Sequence, residues 1–168
     1  MTLIDTHAHI YYEDYADRLD EIIQTAADNG VENIISVGID LASSEECVKL
    51  AEQYSSVFAT CGYHPHEAGK APKGYLYELE QFYKDPKVVA VGEIGLDYHY
   101  NFSDPKIQNR VYREQLEMAK ALELPAVVHC RESDDDILNG IQEVSGSSGV
   151  IHCFASNVEF ANAILDTG

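Results

Sequence analysis

Six short apolar runs recur along the chain: "TLIDTHAHI", "NIISVGI", "VFATCGYH", "VVAVGEIGL", "PAVVHCR" and "GVIHCF". Several are apolar on both faces, the pattern of strands in a parallel sheet covered by helices. The stretches between them carry helical spacing. After the first run, Leu19, Ile22, Ile23, Ala26 and Ala27 recur at helical intervals, and Asn29-Gly30 predicts a C-terminal glycine cap. A longer helix is predicted over 105–122 and a last one over 157–165. Successive strand–helix units imply a parallel sheet with right-handed crossovers. Two α/β architectures fit: an open doubly wound sheet, or most of an eight-unit barrel. No GxGxxG or P-loop sequence follows any strand, which weakens a nucleotide-binding reading. No linker, low-complexity tract or second domain interrupts the pattern.

Composition narrows the picture little. The chain has 168 residues, with 45% hydrophobic and 24% charged content, the values of an ordinary globular domain. It has neither a membrane-spanning apolar run nor the order of a signal peptide, so a cytoplasmic location is the default expectation. Cys47, Cys61, Cys130 and Cys153 form no CxxC pair. They are predicted to be packing thiols rather than a disulfide framework. Charge changes more. The net charge of −18 argues against a broad basic surface for duplex nucleic acid. It leaves room for a local site where metal ions supply the positive charge.

The candidate chemistry gathers at the C-terminal ends of the predicted strands. The first strand ends with His7 and His9, which alternation places on one face about 7 Å apart. The third ends in "GYHPH" with His64 and His66, the fourth in "GEIGLDY" with Glu93 and Asp97. The fifth and sixth add His129 with Arg131, and His152. Six of the seven histidines thus fall at strand ends, and His99 lies just beyond. In α/β barrels the active site is built at that end. Imidazoles with one bridging carboxylate suit one or two divalent ions. Glu93 lies inside an apolar strand, where an unpaired carboxylate is costly, so it needs a partner. His66 follows a proline and reads as a solvated or turn residue. Cys130 and Cys153 alternate with the neighbouring histidines and read as packing. Gln115 sits on the apolar stripe of Val111, Met118 and Leu122 and reads as a buried structural hydrogen-bonder.

Five motifs in register, "IDTHAHI", "GYHPH", "VGEIGLDYHY", "REQLEMAKALELPAVVHCRES" and "VIHCF", resemble the TatD-related metal-dependent deoxyribonucleases of the amidohydrolase-like superfamily. The resemblance implies a TIM (β/α)8-type barrel, of which this chain holds about six β-α units. It implies a centre of two divalent ions (Zn, Mn, Fe, Ni or Mg): His7 and His9 on the first, Glu93 bridging, His129 and His152 on the second. By the same resemblance His64 and Glu93 are catalytic, and Asp97, Tyr98 and Arg131 shape a substrate pocket. The implied activity is 3′–5′ exonuclease hydrolysis of single-stranded DNA or RNA ends, with no membrane and no stable protein partner. Tyr98, Tyr100 and Phe154 are candidates for base stacking or for packing.

Family members continue for roughly two more units, which carry a metal-binding aspartate. The expectation is therefore a single domain over 1–168, incomplete at its C-terminus. "TLIDTHAHI" and "GVIHCF" then remain as unpaired edges that invite self-association. The rival readings are hydrolysis of another ester or amide, such as an aminoacyl ester, and an inactive truncated metal-binding chain.

Overall fold

Every apolar run pairs with the next one along the chain. The computed structural model describes residues 2–100 and 102–167. Its strands are β1 (Leu3–Ala8), β2 (Val31–Val37), β3 (Val57–Cys61), β4 (Val88–Asp97), β5 (Ala126–Arg131) and β6 (Gly149–Ile151). They form one parallel sheet in the order β1-β2-β3-β4-β5-β6. The sheet curls into a half-barrel of about six β-α units, so the barrel alternative holds over the open doubly wound sheet. The helices are α1 (Leu19–Asp28), α2 (Leu41–Gln53), α3 (Tyr75–Phe82), α4 (Pro105–Ala121), α5 (Asp134–Glu143) and α6 (Val158–Leu165). No helix among the described residues is long and apolar enough to cross a membrane.

Local chemistry explains the helix boundaries. Asn29 caps α1, and Gly30 follows with φ 86°, a left-handed conformation that glycine adopts without strain. At α2, Asp40 and Ser43 satisfy one another's backbone N–H groups in a capping box. At α4, the Asp104 carboxylate accepts the Lys106 N–H and Pro105 occupies the first turn. The inward face of α4 is Gln108, Val111, Tyr112, Gln115, Leu116 and Ala119, all buried at helical spacing.

Strand β4 is the axis of the molecule and is buried along nearly its whole length. The outer strands differ. Among the described residues β1 pairs with β2 alone and β6 with β5 alone. Leu3, Ile4 and Val150 are 43%, 55% and 55% exposed, so the edge strands do carry apolar side chains into solvent.

The strands are shorter than the apolar runs. His9, His64 and His152 therefore lie past the ends of β1, β3 and β6, on loop backbone free to aim them. Shortening also corrects the reading of the cysteines. Cys47 and Cys61 are buried, and half-buried Cys130 packs against the core, as packing thiols should, but Cys153 is exposed. Strand alternation ends at Ile151, and Cys153 lies in a turn with φ 47°.

Candidate metal centre

Two irregularities in strand pairing aim the first side chains. The β1–β2 register slips between Asp5 and Ala8, around His7. The β4–β5 register slips between Gly92 and Ile94, which leaves Glu93 without a partner on β5. Bulges of this kind re-aim a side chain next to active sites. Glu93 instead donates its N–H to the Gly38 carbonyl at 2.9 Å. Two residues on, the φ of Gly95 is 132°, and a Cβ there would stand 2.0 Å from the His129 carbonyl oxygen. Only glycine lets β4 pass that close to β5 beneath the site.

Around Glu93, 3% exposed, the imidazoles converge. His7 Nε2 stands 3.3 Å from Oε2, His129 Nδ1 3.1 Å from Oε1, and His64 Nε2 3.8 Å from Oε1. The His9 ring centroid is 5.1 Å from that of His7. His152 stacks on His7 at 3.5 Å with the rings nearly parallel. Two sets of donor atoms result, each within 4.8 Å of one another: His7, His9 and Glu93, and His64, Glu93 and His129. Glu93 belongs to both. His152 belongs to neither set, although its ring touches the first.

The second nitrogen of each ring decides what the first can do. His9 Nδ1 lies 2.9 Å from the Val37 carbonyl, so it carries the proton and Nε2 keeps a free lone pair. His64 is the opposite case. Its Nδ1 accepts the His66 backbone N–H at 3.2 Å, so the neutral ring carries its proton on Nε2, facing Glu93. Burial keeps that ring neutral by lowering its pKa to about 3. In this tautomer His64 presents a hydrogen-bond donor to the site. His129 Nε2 lies 3.1 Å from Asp97 Oδ2 and its Nδ1 3.1 Å from Glu93 Oε1, so the ring bridges two carboxylates, and the Asp97 contact would keep Nε2 the donor when Nδ1 gives up its proton to bind an ion. Both ring nitrogens of His7 are sealed from solvent without a hydrogen-bond partner. Orphaned buried polar atoms are costly, and a cation beside Glu93 would take up the lone pair of Nε2, the nitrogen 3.3 Å from that carboxylate. On this ground the residues present fit a divalent ion.

The electrostatics agree. Burial pushes the Glu93 carboxyl upward, but the His129 hydrogen bond and the adjacent His7 and His64 rings outweigh it and hold it well below the usual range. At His129 burial acts downward, yet the Glu93 and Asp97 carboxylates raise the pKa on balance. Burial lowers the pKa of His9 and of His152. The site therefore combines one buried anion with three imidazoles, His9, His64 and His152, that burial favours in the unprotonated form, while the two carboxylates favour a charged His129.

A second layer holds the first. Asp97 is fully buried. Its Oδ2 also meets His66 Nε2 at 2.8 Å, and its Oδ1 accepts the N–H groups of His99 and Tyr100. The expectation for His66 is thus corrected: this turn residue joins the site through Asp97. The expected substrate role of Asp97 has no exposed surface to work from, so its influence passes through two imidazoles. Helix α4 supplies the outer clamps. Gln115 accepts the Tyr63 N–H at 2.7 Å and donates to the Tyr63 carbonyl at 3.1 Å, fixing the backbone just before His64. Gln108 does the same for Asp97, at 2.9 and 3.1 Å, and also donates to the Ser103 carbonyl. Sequence reading reaches Gln115 but misses Gln108, whose only signal is a second amide seven residues earlier on the same apolar stripe. Tyr98 and Arg131 line one pocket with the start of α5, where the Tyr98 hydroxyl donates to Asp136 at 2.6 Å. Phe154 stacks on Phe160, so it packs within the chain.

Residues 4–168 match the model of a family described as TatD related DNase. An uncharacterized metal-dependent hydrolase of Bacillus subtilis, YabD, is 35% identical over 97% of this chain and 65% of its own. The 3′-5′ ssDNA/RNA exonuclease TatD of Escherichia coli is 31% identical over 99% of this chain and 65% of its own. The chain thus spans about 65% of the length of these relatives. Among solved structures, the TatD homolog YJJV of Escherichia coli superposes with a TM-score of 0.92 at 30% identity, covering 98% of this chain and 65% of that one. An uncharacterized amidohydrolase from Saccharomyces cerevisiae, 18% identical, shares the fold with a TM-score of 0.87 over 99% of this chain and 66% of its own.

Proposed function

From the premise that this chain belongs to the TatD-related DNase family, we propose that it hydrolyses phosphodiester bonds at the 3′ ends of single-stranded DNA or RNA. The residues named below lie in one domain over residues 1–168. His7, His9 and Glu93 would hold one divalent ion, and Glu93, His129 and His152 a second. Their imidazole and carboxylate donors suit zinc, manganese, iron or nickel, and magnesium in assays. When bound, such ions acidify a water and offset the charge of a phosphoryl group.

The chain's own residues do the rest. Glu93 sets a fixed negative charge at the centre of the cluster, screened from solvent. His64 Nε2–H points into the same space and donates to a phosphoryl oxygen, a role that its neutral state and its backbone-held Nδ1 equip it for. Asp97 keeps the Nε2–H of His129 occupied, so the Nδ1 lone pair faces inward. Arg131, at the end of β5, is the cation at the rim of an otherwise acidic pocket.

The observation that carries the reading is the buried Glu93, whose Oε2 faces His7 Nε2 at 3.3 Å and whose Oε1 faces His129 Nδ1 at 3.1 Å. The test measures metal content by elemental analysis and hydrolysis of single-stranded oligonucleotides alongside an aminoacyl ester. Wild type is expected to bind metal and to cleave the oligonucleotide. Glu93→Gln should lose metal from both positions, and His64→Gln should keep metal but lose turnover by at least about 100-fold. Metal retained in full by Glu93→Gln, or cleavage of the ester alone, would refute it.

A further inference from the structure

We propose that Phe102 and Tyr100, with Arg131, form a stacking site for an unpaired nucleobase of the strand being cleaved; this rests on the nuclease reading. The two rings lie nearly parallel, at an interplanar angle of 21° and a centroid separation of 5.6 Å. Phe102 is 69% exposed and Tyr100 41%. Two adjacent aromatic rings left in solvent on a strongly acidic chain are costly unless something flat and apolar covers them. Arg131 lies over the Tyr100 ring at 4.6 Å and brings positive charge to the edge of the platform. Apolar faces beside a cation match a nucleobase with its backbone phosphate, and base–aromatic stacking serves any base.

Position and stiffness support that occupant. The edge of His66 packs on Phe102 at 4.8 Å and on Tyr100 at 5.6 Å. On its other side His66 is 4.4 Å from His64, the donor into the metal centre. The platform therefore stands one imidazole away from the site proposed for the phosphodiester, about the offset between a base and its own phosphate. The backbone at Tyr100 and at Ser103 is held in place. The Tyr100 N–H bonds to Asp97 at 2.9 Å. Ser103, next to Phe102, donates to the His66 carbonyl, accepts the Gly69 N–H, and offers its own carbonyl to Gln108. A preorganised surface loses little entropy when a base settles on it.

The test compares two short single strands with phosphorothioate linkages, labelled at the 5′ end, in the metal-loaded protein. One carries an intact 3′-terminal nucleotide and the other an abasic residue there. Fluorescence anisotropy should show wild type binding the intact strand roughly 5- to 100-fold more tightly. Phe102→Ala should bring that ratio close to one, and Phe102→Tyr should keep it. The exposure of Phe102 makes misfolding a minor concern, and circular dichroism checks it. An unchanged ratio in Phe102→Ala, or equal binding of both strands by wild type, overturns the platform and leaves the nuclease reading standing. If wild type binds neither strand and cleaves no phosphodiester, both fall.

Discussion

Gln115→Leu is the substitution that most directly tests how the site is held. Leucine matches glutamine closely in size, so little cavity opens and the change is chiefly the loss of an amide. Two backbone groups lose their partners: the Tyr63 N–H, bonded at 2.7 Å, and the Tyr63 carbonyl, bonded at 3.1 Å. Gln115 is fully buried, so water does not readily replace it. An unsatisfied buried polar group costs about 1–3 kcal/mol, which for two gives roughly 2–6 kcal/mol. Leucine returns roughly 1–2 kcal/mol because no amide is then desolvated. The central expectation is a net loss of about 2–3 kcal/mol. Urea unfolding measures it as a lower midpoint with an unchanged slope. Glu117→Leu, on the exposed side of the same helix, is the control and should stay within about 0.5 kcal/mol. Because His64 follows Tyr63, residual folded Gln115→Leu should also turn over more slowly at an unchanged KM. A Gln115→Leu loss no larger than that of the control would refute the clamp.

In chelator-treated protein, His64 should make stability fall with acid: its pKa is about 3 folded against 6.5 unfolded, so between those values the unfolded chain binds the extra proton. Its contribution to the slope reaches about 1.4 kcal/mol per pH unit, and urea midpoints of His64→Gln between pH 7 and 5 should be flatter than those of wild type; parallel slopes would count against a neutral buried ring. Asp97→Asn should weaken metal binding by roughly 10- to 100-fold in a chelator competition, and an unchanged affinity would remove its role in orienting His129. Gly95→Ala places a Cβ 2.0 Å from the His129 carbonyl at a φ of 132°, so it should cost more than about 2 kcal/mol or prevent folding, and a soluble variant of wild-type midpoint would contradict that close approach.

Much of this was legible in the residues because it follows from periodicity. The extent of α4 is written in Asp104-Pro105 at its start and in its apolar stripe, and each strand is announced by its apolar run. The gathering of histidines at strand ends likewise follows from counting them against those runs. What escaped depends on departures from periodicity. Simple alternation sets His7 and His9 side by side, but the slips at His7 and Glu93 arise from pairing with a neighbouring strand. His66 looks like a turn residue because its partner, Asp97, is 31 positions away. Cys153 was misplaced because an apolar run does not reveal where backbone pairing stops.

Helix α4 reaches the ends of two strands through Gln108 and Gln115, whose amides clamp the backbone there. This arrangement links events that the sheet alone would keep separate. A fluctuation that frees α4 from the sheet removes the side-chain clamps on the Tyr63 and Asp97 backbones in one step. The pairing of Asp97 with β5 and its contacts with His66 and His129 remain. Substitutions on the inward face of α4, remote from any reacting atom, therefore set how often both clamps open together.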